Sequence, residues 1–481
     1  MIQSADAPKN SSPLLGLGEN ETQPTIGEGG SRIWIYARET KGTKTRQRNL
    51  VAWILLVIYL GIPWIQWGEA PLIQVDVFQF RLLLLGHSYY PQDIKLFLPG
   101  FLSFIVLVFL FTAKFGRAWC GWACPQTVFL QFVFSPLERW IEGRAAKRQA
   151  RDAAGFSFDL VWRKIAKHVL FLTVAFLIGN TALAYFWGRD NVLWVMRQTP
   201  AENPSGFAFV LAFTAVFYWV FSYFKEQACV LICPYARFQS VLLDEHSLIV
   251  GYDSKRGEPR GRIQNGSRTG LGDCVDCHHC VNVCPTGIDI RKGQQLECIA
   301  CTRCIDACDS IMTAWKKPPG LIRYTSLSKL DGGIVRNIRK RLVVYAVLAT
   351  VLAGISAVLV FTRPDVAVDV VRRGFNPYTK VGEDSVLNTF TLHVRNKDLH
   401  RRAFSLNFAE PFHGHHNWES RRFAVGAGQL QTLEFNVMSQ RNEFQFGKRD
   451  VKLEIRDGNM ARAFNIVLVG PFGTGGIGKQ D

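Results

Sequence analysis

Twelve cysteines carry the chemistry of this sequence, and every one of them sits in a spaced motif. Two runs have ferredoxin spacing, Cys274-x2-Cys277-x2-Cys280-x3-Cys284-Pro285 and Cys298-x2-Cys301-x2-Cys304-x3-Cys308, with Asp309 in the second where the first has proline. Three thiolates two residues apart wrap one face of a cubane, whereas the fourth, close in sequence, points to the other cluster, so that the ligand sets interleave. The spacing therefore predicts one [4Fe–4S] cluster on Cys274, Cys277, Cys280 and Cys308 and a second on Cys298, Cys301, Cys304 and Cys284. Paired zinc sites would not need this spacing twice, and disulfides are disfavoured in a reducing compartment.

The other four cysteines form two related pairs, Cys120-x3-Cys124-Pro125 and Cys229-x3-Cys233-Pro234. Each pair stands a few residues beyond an apolar stretch and precedes an aromatic–Gln element, Phe129-Leu130-Gln131 in one case and Phe238-Gln239 in the other. This reads as a helix-pair repeat that gathers four thiols at one membrane face. As helical i, i+4 neighbours, each pair would present two sulfurs to one metal. Four inert small residues near helix ends would not repeat in this way. Four thiolates suit a third Fe–S cluster or zinc, and fewer suit Cu(I); at this level both remain open.

Other signals are weaker. His413, His415 and His416 offer imidazoles to copper, although a polar loop between strands is the simpler reading. His278 and His279 fill a C-x2-C turn, where they can tune a cluster through hydrogen bonds. His168 opens an apolar stretch with no partner histidine in a span, which argues against a haem. The G-x-G-x-x-G at Gly473–Gly478 has no helix after it to receive a pyrophosphate, and no other nicotinamide or flavin fingerprint occurs. The electron donor is thus not specified by any motif.

The elements that position the cysteines follow from hydropathy and charge. The chain has 481 residues, 48% of them hydrophobic, and a net charge of +17. That composition excludes a disordered chain and a disulfide-rich scaffold. Five apolar stretches, 50–67, 96–113, 168–187, 207–224 and 342–361, are long enough to cross a bilayer. The short stretch 80–86 carries Arg81 and reads as interfacial. Residues 32–49 sum to +5, 114–167 to +6 and 225–341 to +6, whereas 68–95 and 188–204 come to −1 and zero. The positive-inside rule then puts the N-terminus and both long basic loops in the cytoplasm and the C-terminal region outside. Anionic lipid beside these loops accounts for the charge, and no nucleic-acid partner is needed.

The expected organisation is a disordered leader at 1–31, four spans with the first C-x3-C-P motif at 32–224, and a cytoplasmic segment at 225–341. That segment holds the second C-x3-C-P motif and the two-cluster ferredoxin domain. A fifth span follows at 342–361. From 362 to 481, alternating segments such as 389–394, 403–408, 432–437 and 451–455, with a hairpin signal at Asp457-Gly458, predict an Ig-like β-sandwich.

With these groups in view, the sequence resembles the FixG/RdxA/CcoG family of cytochrome c oxidase accessory proteins. The carrying stretches are CGWACPQTVF from Cys120, PYARFQSVL with YDSKRGEPRG, and the two cysteine runs from Cys274 to Asp309. The resemblance implies a multi-pass protein of the bacterial inner membrane with a periplasmic Ig-like domain. It also implies reduction of Cu(II) to Cu(I) in the cytoplasm for assembly of a cbb3-type oxidase, with copper-delivery proteins as partners. Cys120, Cys124, Cys229 and Cys233 would be the copper-interacting residues. Two further readings compete: a quinol-linked electron-transfer subunit serving a redox partner, and a copper-binding assembly scaffold that is not an enzyme.

Overall fold

The computed structural model describes Thr25 and residues 31–67, 70–78, 80–84, 87–90, 93–261, 270–336, 338–362, 365–373, 376–382, 384–397, 400–409, 412, 414–416, 421–458 and 460–471. Almost all of the leader, His413 and the glycine-rich segment 473–478 therefore lie outside the described residues. The chain forms two compact units, Met1–Trp64 with Lys95–Ala357 and Ile65–Ile94 with Val358–Asp481.

The first unit holds helices Thr43–Trp64, Ile94–Phe115, Phe158–Trp187, Pro204–Phe224 and Lys340–Phe361, each long and apolar enough to cross a membrane. The first stops three residues short of the expected end. Pro63 cannot continue the ladder and leaves a 3-10 turn over Ile62–Trp64. The third starts ten residues earlier than its apolar stretch, because Ser157 caps it by accepting from the Leu160 N–H at 3.2 Å. The second and fifth helices are joined by hydroxyls, Ser103 to the Ala349 carbonyl at 2.8 Å and Ser356 to the Leu96 carbonyl at 3.0 Å. Such polar contacts hold helices together where lipid removes the hydrophobic driving force.

Beside the third and fourth helices, Glu138 accepts from Lys225 at 2.8 Å and pairs with Arg148 at 2.7 Å and Lys167 at 3.6 Å, all of them nearly inaccessible. Burial pushes this carboxyl up, but Lys225, Arg148 and Lys167 outweigh burial and hold it at about 2. Its contribution is therefore complete above about 4.5 and is lost as pH falls toward 2. Glu138→Ala takes the carboxylate from buried Lys225 and Arg148, Lys167 keeping Glu142 at 2.8 Å, and will cost about 3–5 kcal/mol. Asp159→Ala, at an exposed pair with Arg163, will cost less than about 1 kcal/mol. Thermal unfolding of the two variants checks the contrast.

The cysteine-rich insert is closed by an antiparallel pair, Ile249–Tyr252 on Ile322–Thr325, over a core including Val250, Ile290, Ile305, Met312, Leu321 and Ile322. It docks on the first span through Asp306. That carboxylate accepts from the Lys44 and Thr45 N–H groups at 3.1 and 2.7 Å and from the Thr45 hydroxyl at 2.6 Å. One insert residue thus satisfies the orphan donors of a helix that begins at Thr43. Gly42 leaves the room for it, since a Cβ there would lie 2.3 Å from Asp306 Cγ.

In the second unit a five-stranded and a four-stranded antiparallel sheet form the sandwich. Ser385–Asn396 alternates strictly, burying Val386, Phe390, Leu392 and Val394 against Phe404, Leu406, Phe435, Leu453 and Leu468. All four expected segments lie within the observed strands, and Asp457 pairs with Met460 across the expected hairpin. The buried Asn388 exchanges two hydrogen bonds with the Val469 backbone, at 3.0 and 2.9 Å, and ties one sheet to the other. Within the stretch read as interfacial, Arg81–Leu84 is a strand that pairs with Ile73–Asp76 and His87–Tyr89. This segment belongs to the sandwich unit through a buried ion pair, Asp93 with Lys397, and through Tyr90, which donates to the Gly428 carbonyl at 2.6 Å.

Candidate metal centre

All twelve cysteines are free thiols. The eight of the ferredoxin runs divide between two cavities, each with about 360 Å³ of open space. One is lined by Cys274, Cys277, Cys280 and Cys308, and the other by Cys284, Cys298, Cys301 and Cys304, with Cys280 touching both. The chain builds the two in the same way. Asp276 and His278 flank Cys277 at φ 52° and 57°, and Ala300 and Thr302 flank Cys301 at φ 51° and 61°. Left-handed backbone at non-glycine residues costs about 1–2 kcal/mol each. The alternation curls each loop into a concavity lined by N–H groups, of the kind that holds Fe–S clusters. Burial pushes the Cys280, Cys298 and Cys308 thiols up to about 12, against Arg291 at Cys280 and the Ala300 N–H at Cys298, and Cys304 is raised as well. Four such thiols ionise together only around a cation, so loading the site releases protons. Thr302, on the wall of the second cavity, has a buried hydroxyl with no partner among the described residues. The donor set, the nest-like loops and this orphan fit two [4Fe–4S] groups, which would supply single electrons when bound.

The C-x3-C-P thiols surround a third cavity of about 810 Å³, whose wall includes Cys120, Cys124, Cys229, Cys233 and Gln239. The helical i, i+4 geometry expected within each pair is not what forms. Cys124 and Cys233 are extended, at φ, ψ of −61°, 126° and −67°, 111°, because a residue before proline is driven out of the helical region. Each closes its loop with the same five-residue hydrogen bond, Cys124 N–H to Trp119 at 2.9 Å and Cys233 N–H to Ala228 at 3.0 Å. Each also becomes the cap of the helix that follows. Burial raises the Cys124 thiol, and the Thr127 and Gln126 N–H groups work against that rise. Burial pushes Cys120 up to about 11 and raises Cys229 too. Cys120 donates to Gln239 Oε1 at 3.3 Å, while the Gln239 Nε2 is buried with no partner among the described residues.

The third cavity adjoins the second, since Cys298 lines both. Several residues that motif spacing does not reveal make this junction. Arg48 is fully buried and donates to the Gly121 carbonyl at 2.9 and 2.8 Å and to Gln131 at 2.8 Å. Arg117 donates to the Leu296, Cys298 and Ala236 carbonyls, spanning both motif pairs and the cluster loop. Trp122 donates to the Tyr324 hydroxyl at 2.8 Å, which donates to the Ala300 carbonyl at 3.2 Å. The available signals were an arginine just inside a span and a glycine between two motif cysteines.

His415 and His416 are consecutive in a strand and therefore point to opposite faces; His416 stacks near Phe408 at 5.0 Å. Among the described residues no three Cys, His, Asp or Glu side chains converge closely enough to hold a single ion. The thiols ring cavities instead.

Residues 96–144 match a 4Fe-4S binding domain family and residues 224–327 a 4Fe-4S dicluster domain family. Together with the five apolar helices, these define a multi-pass membrane iron–sulfur protein of the electron-transport class. Residues 356–471 match the Ig-like fold at the C-terminus of FixG. Protein RdxA of Cereibacter sphaeroides is 35% identical, the alignment covering 78% of this chain and 82% of RdxA, and RdxB of the same organism is 33% identical over 78% and 83%. Nitrogen fixation protein FixG of Rhizobium meliloti is 38% identical over 61% of this chain and 57% of its own length. The chain belongs to the FixG/RdxA family.

Proposed function

We propose that this protein reduces Cu(II) to Cu(I) at the Cys120, Cys124, Cys229 and Cys233 cavity. Its electrons would come through two [4Fe–4S] groups, one held by Cys274, Cys277, Cys280 and Cys308 and the other by Cys284, Cys298, Cys301 and Cys304. The observation that carries this reading is the shared wall at Cys298, which puts an electron source beside four soft sulfurs. Each Cu(II) takes one electron, and sulfur ligands favour the Cu(I) product. Cys124 and Cys233, each at the cap of the helix that follows, stand on the wall of that cavity to receive the ion. The product would serve assembly of a cbb3-type oxidase through copper-delivery proteins.

In this proposal the reaction face is cytoplasmic and the sandwich periplasmic, in a bacterial inner membrane. The three basic segments support that sidedness. So does the compact unit that residues 65–94 form with 358–481, since an odd number of spans puts the loop after the first on the same side as the chain after the fifth.

A second reading of the same cavity, a third cubane, is favoured by the family match over residues 96–144, whose only cysteines are Cys120 and Cys124. The test is anaerobic purification, an iron count, and Cu(I) formation with reduced protein, repeated with all four cysteines changed to serine. We expect about eight irons per chain and loss of nearly all Cu(II) reduction in the variant. Undiminished reduction would sink the copper assignment. About twelve irons, falling to eight in the variant, would establish the cubane in its place.

A further inference from the structure

A fourth cavity, of about 840 Å³, lies beside the first span, and its walls include Glu39, Arg48, Trp53, Phe132, Arg139 and Arg303. None of the twelve cysteines lines it. It has two chemically distinct ends. Trp53, about 65% exposed and halfway along the helix Thr43–Trp64, and the half-buried Phe132 make an apolar end. Glu39 and Arg139, paired at 2.6 Å, make a polar rim. Arg303 completes the wall, and its neighbours in the chain are Thr302 and Cys304, so the cavity reaches the loop that lines the second thiol cavity.

We propose that this cavity binds a membrane quinol and is where electrons enter the protein. An amphipathic ligand with a polar ring and a long apolar tail matches the two ends. Trp53 and Phe132 take the ring face and the start of the tail, and Arg48 and Arg303 stabilise negative charge that develops on a ring oxygen as it loses its proton. Glu39 accepts a hydroxyl proton and releases it to water, since it is 47% exposed. The step balances: one quinol becomes one quinone, two protons leave to solvent, and two electrons are taken up, one by each [4Fe–4S] centre. A phospholipid headgroup also meets arginines well, but Glu39 opposes its phosphate, and a lipid has no reason to sit against a cluster loop.

This inference rests on the proposed electron-carrier role, and the test separates the two. The probes are decylubiquinol and an azido-quinone, used on the full chain in nanodiscs. In wild-type protein, decylubiquinol will bleach the cluster absorbance, and light will crosslink the azido-quinone to peptides containing residues 39–53 or 131–139. Glu39→Gln and Trp53→Ala, neither of which touches a thiol, will slow bleaching by about tenfold or more and weaken crosslinking, with iron content and dithionite bleaching retained. Clusters that dithionite reduces and decylubiquinol does not overturn the quinol site alone. Clusters that dithionite also leaves oxidised overturn the carrier role. Variants that bleach at wild-type rate while losing co-purifying anionic phospholipid assign the cavity to a lipid, against the proposal.

Discussion

Gly121→Ala will cut the rate of copper reduction on the order of a hundredfold while leaving the iron content intact. The cause is steric and local. A Cβ on Gly121 would lie 2.6 Å from the Ile299 carbonyl oxygen, 2.7 Å from that of Ala300 and 2.9 Å from the Ala300 carbonyl carbon. All three are backbone atoms of the loop between Cys298 and Cys301, and they cannot swing aside as a side-chain tip can. Overpacking of this kind costs about 1–3 kcal/mol, and the pressure is relieved by parting the first C-x3-C-P loop from the cluster loop. Electron transfer weakens steeply with separation, and in enzymes a displacement of about 1 Å can cost a hundredfold in rate. Gly121 itself lines neither ferredoxin cavity, and both keep their thiols. Gly61→Ala is the control, because a Cβ there meets nothing within 4 Å, and it will behave as wild type. Single-turnover Cu(I) formation by pre-reduced protein, with iron determined on the same sample, checks both. A Gly121→Ala protein as fast as the control would show that the Gly121–Ala300 contact does not set the rate.

The sensitivity expected at Gly121 also shows where sequence reading stops. The five long apolar helices were legible because 20-residue apolar runs have few other uses, and the sandwich because its strands alternate. The division of eight cysteines between two cavities followed from spacing. The conformation within each C-x3-C-P pair did not. The i, i+4 argument treats Cys120 to Cys124 as a helix, whereas Pro125 and Pro234 force the preceding cysteine into extended backbone. That proline signal was present in the sequence and points to a cap. The strand at Arg81–Leu84 was not legible for a different reason: four apolar residues beside an arginine do not specify their partners, and those are set by tertiary contacts such as Lys397 with Asp93. Asp306 capping the first span across 261 residues, and Arg117 binding three separated carbonyls, are likewise tertiary events with no local signature.

What these long-range contacts achieve is a chain of junctions. Asp306 fixes the insert to the start of the first span. Arg48, four residues further on, fixes that span to Gly121, and Gly121 packs on Ile299 and Ala300. The third cavity and the second are therefore held in register by the same helix that borders the fourth. The second and third cavities share a wall at Cys298 and Ile299, and Arg48, on the wall of the fourth, reaches that wall through Gly121.

Cys284→Ala will remove the cluster of the other run, not that of its own. In sequence Cys284 follows Cys280 by four residues, and a reading by proximity would group it with Cys274 and Cys277. In space it lines the cavity of Cys298, Cys301 and Cys304. Loss of one thiolate from a buried cubane site leaves an iron without its ligand, since Cys280 on the same wall belongs to the other set and the neighbouring Thr286 and Thr302 offer only neutral hydroxyls. We therefore expect Cys284→Ala to lose about four of about eight irons, along with the signal of one cluster in the reduced protein. The decisive measurement is non-additivity, because residues of one unit share one loss. Cys284→Ala combined with Cys298→Ala will lose no more iron than either alone, whereas Cys284→Ala combined with Cys274→Ala will lose nearly all of it. Cys308→Ala must mirror this, adding nothing to Cys274→Ala and everything to Cys298→Ala. The opposite pattern, with Cys284 grouping with Cys274, would show that the ligand sets follow the chain and do not cross between the loops. Copper reduction gives an independent reading of the same variants. Because Cys298 lies on the wall shared with the C-x3-C-P thiols, Cys284→Ala will abolish reduction, and so will every variant that empties that cavity.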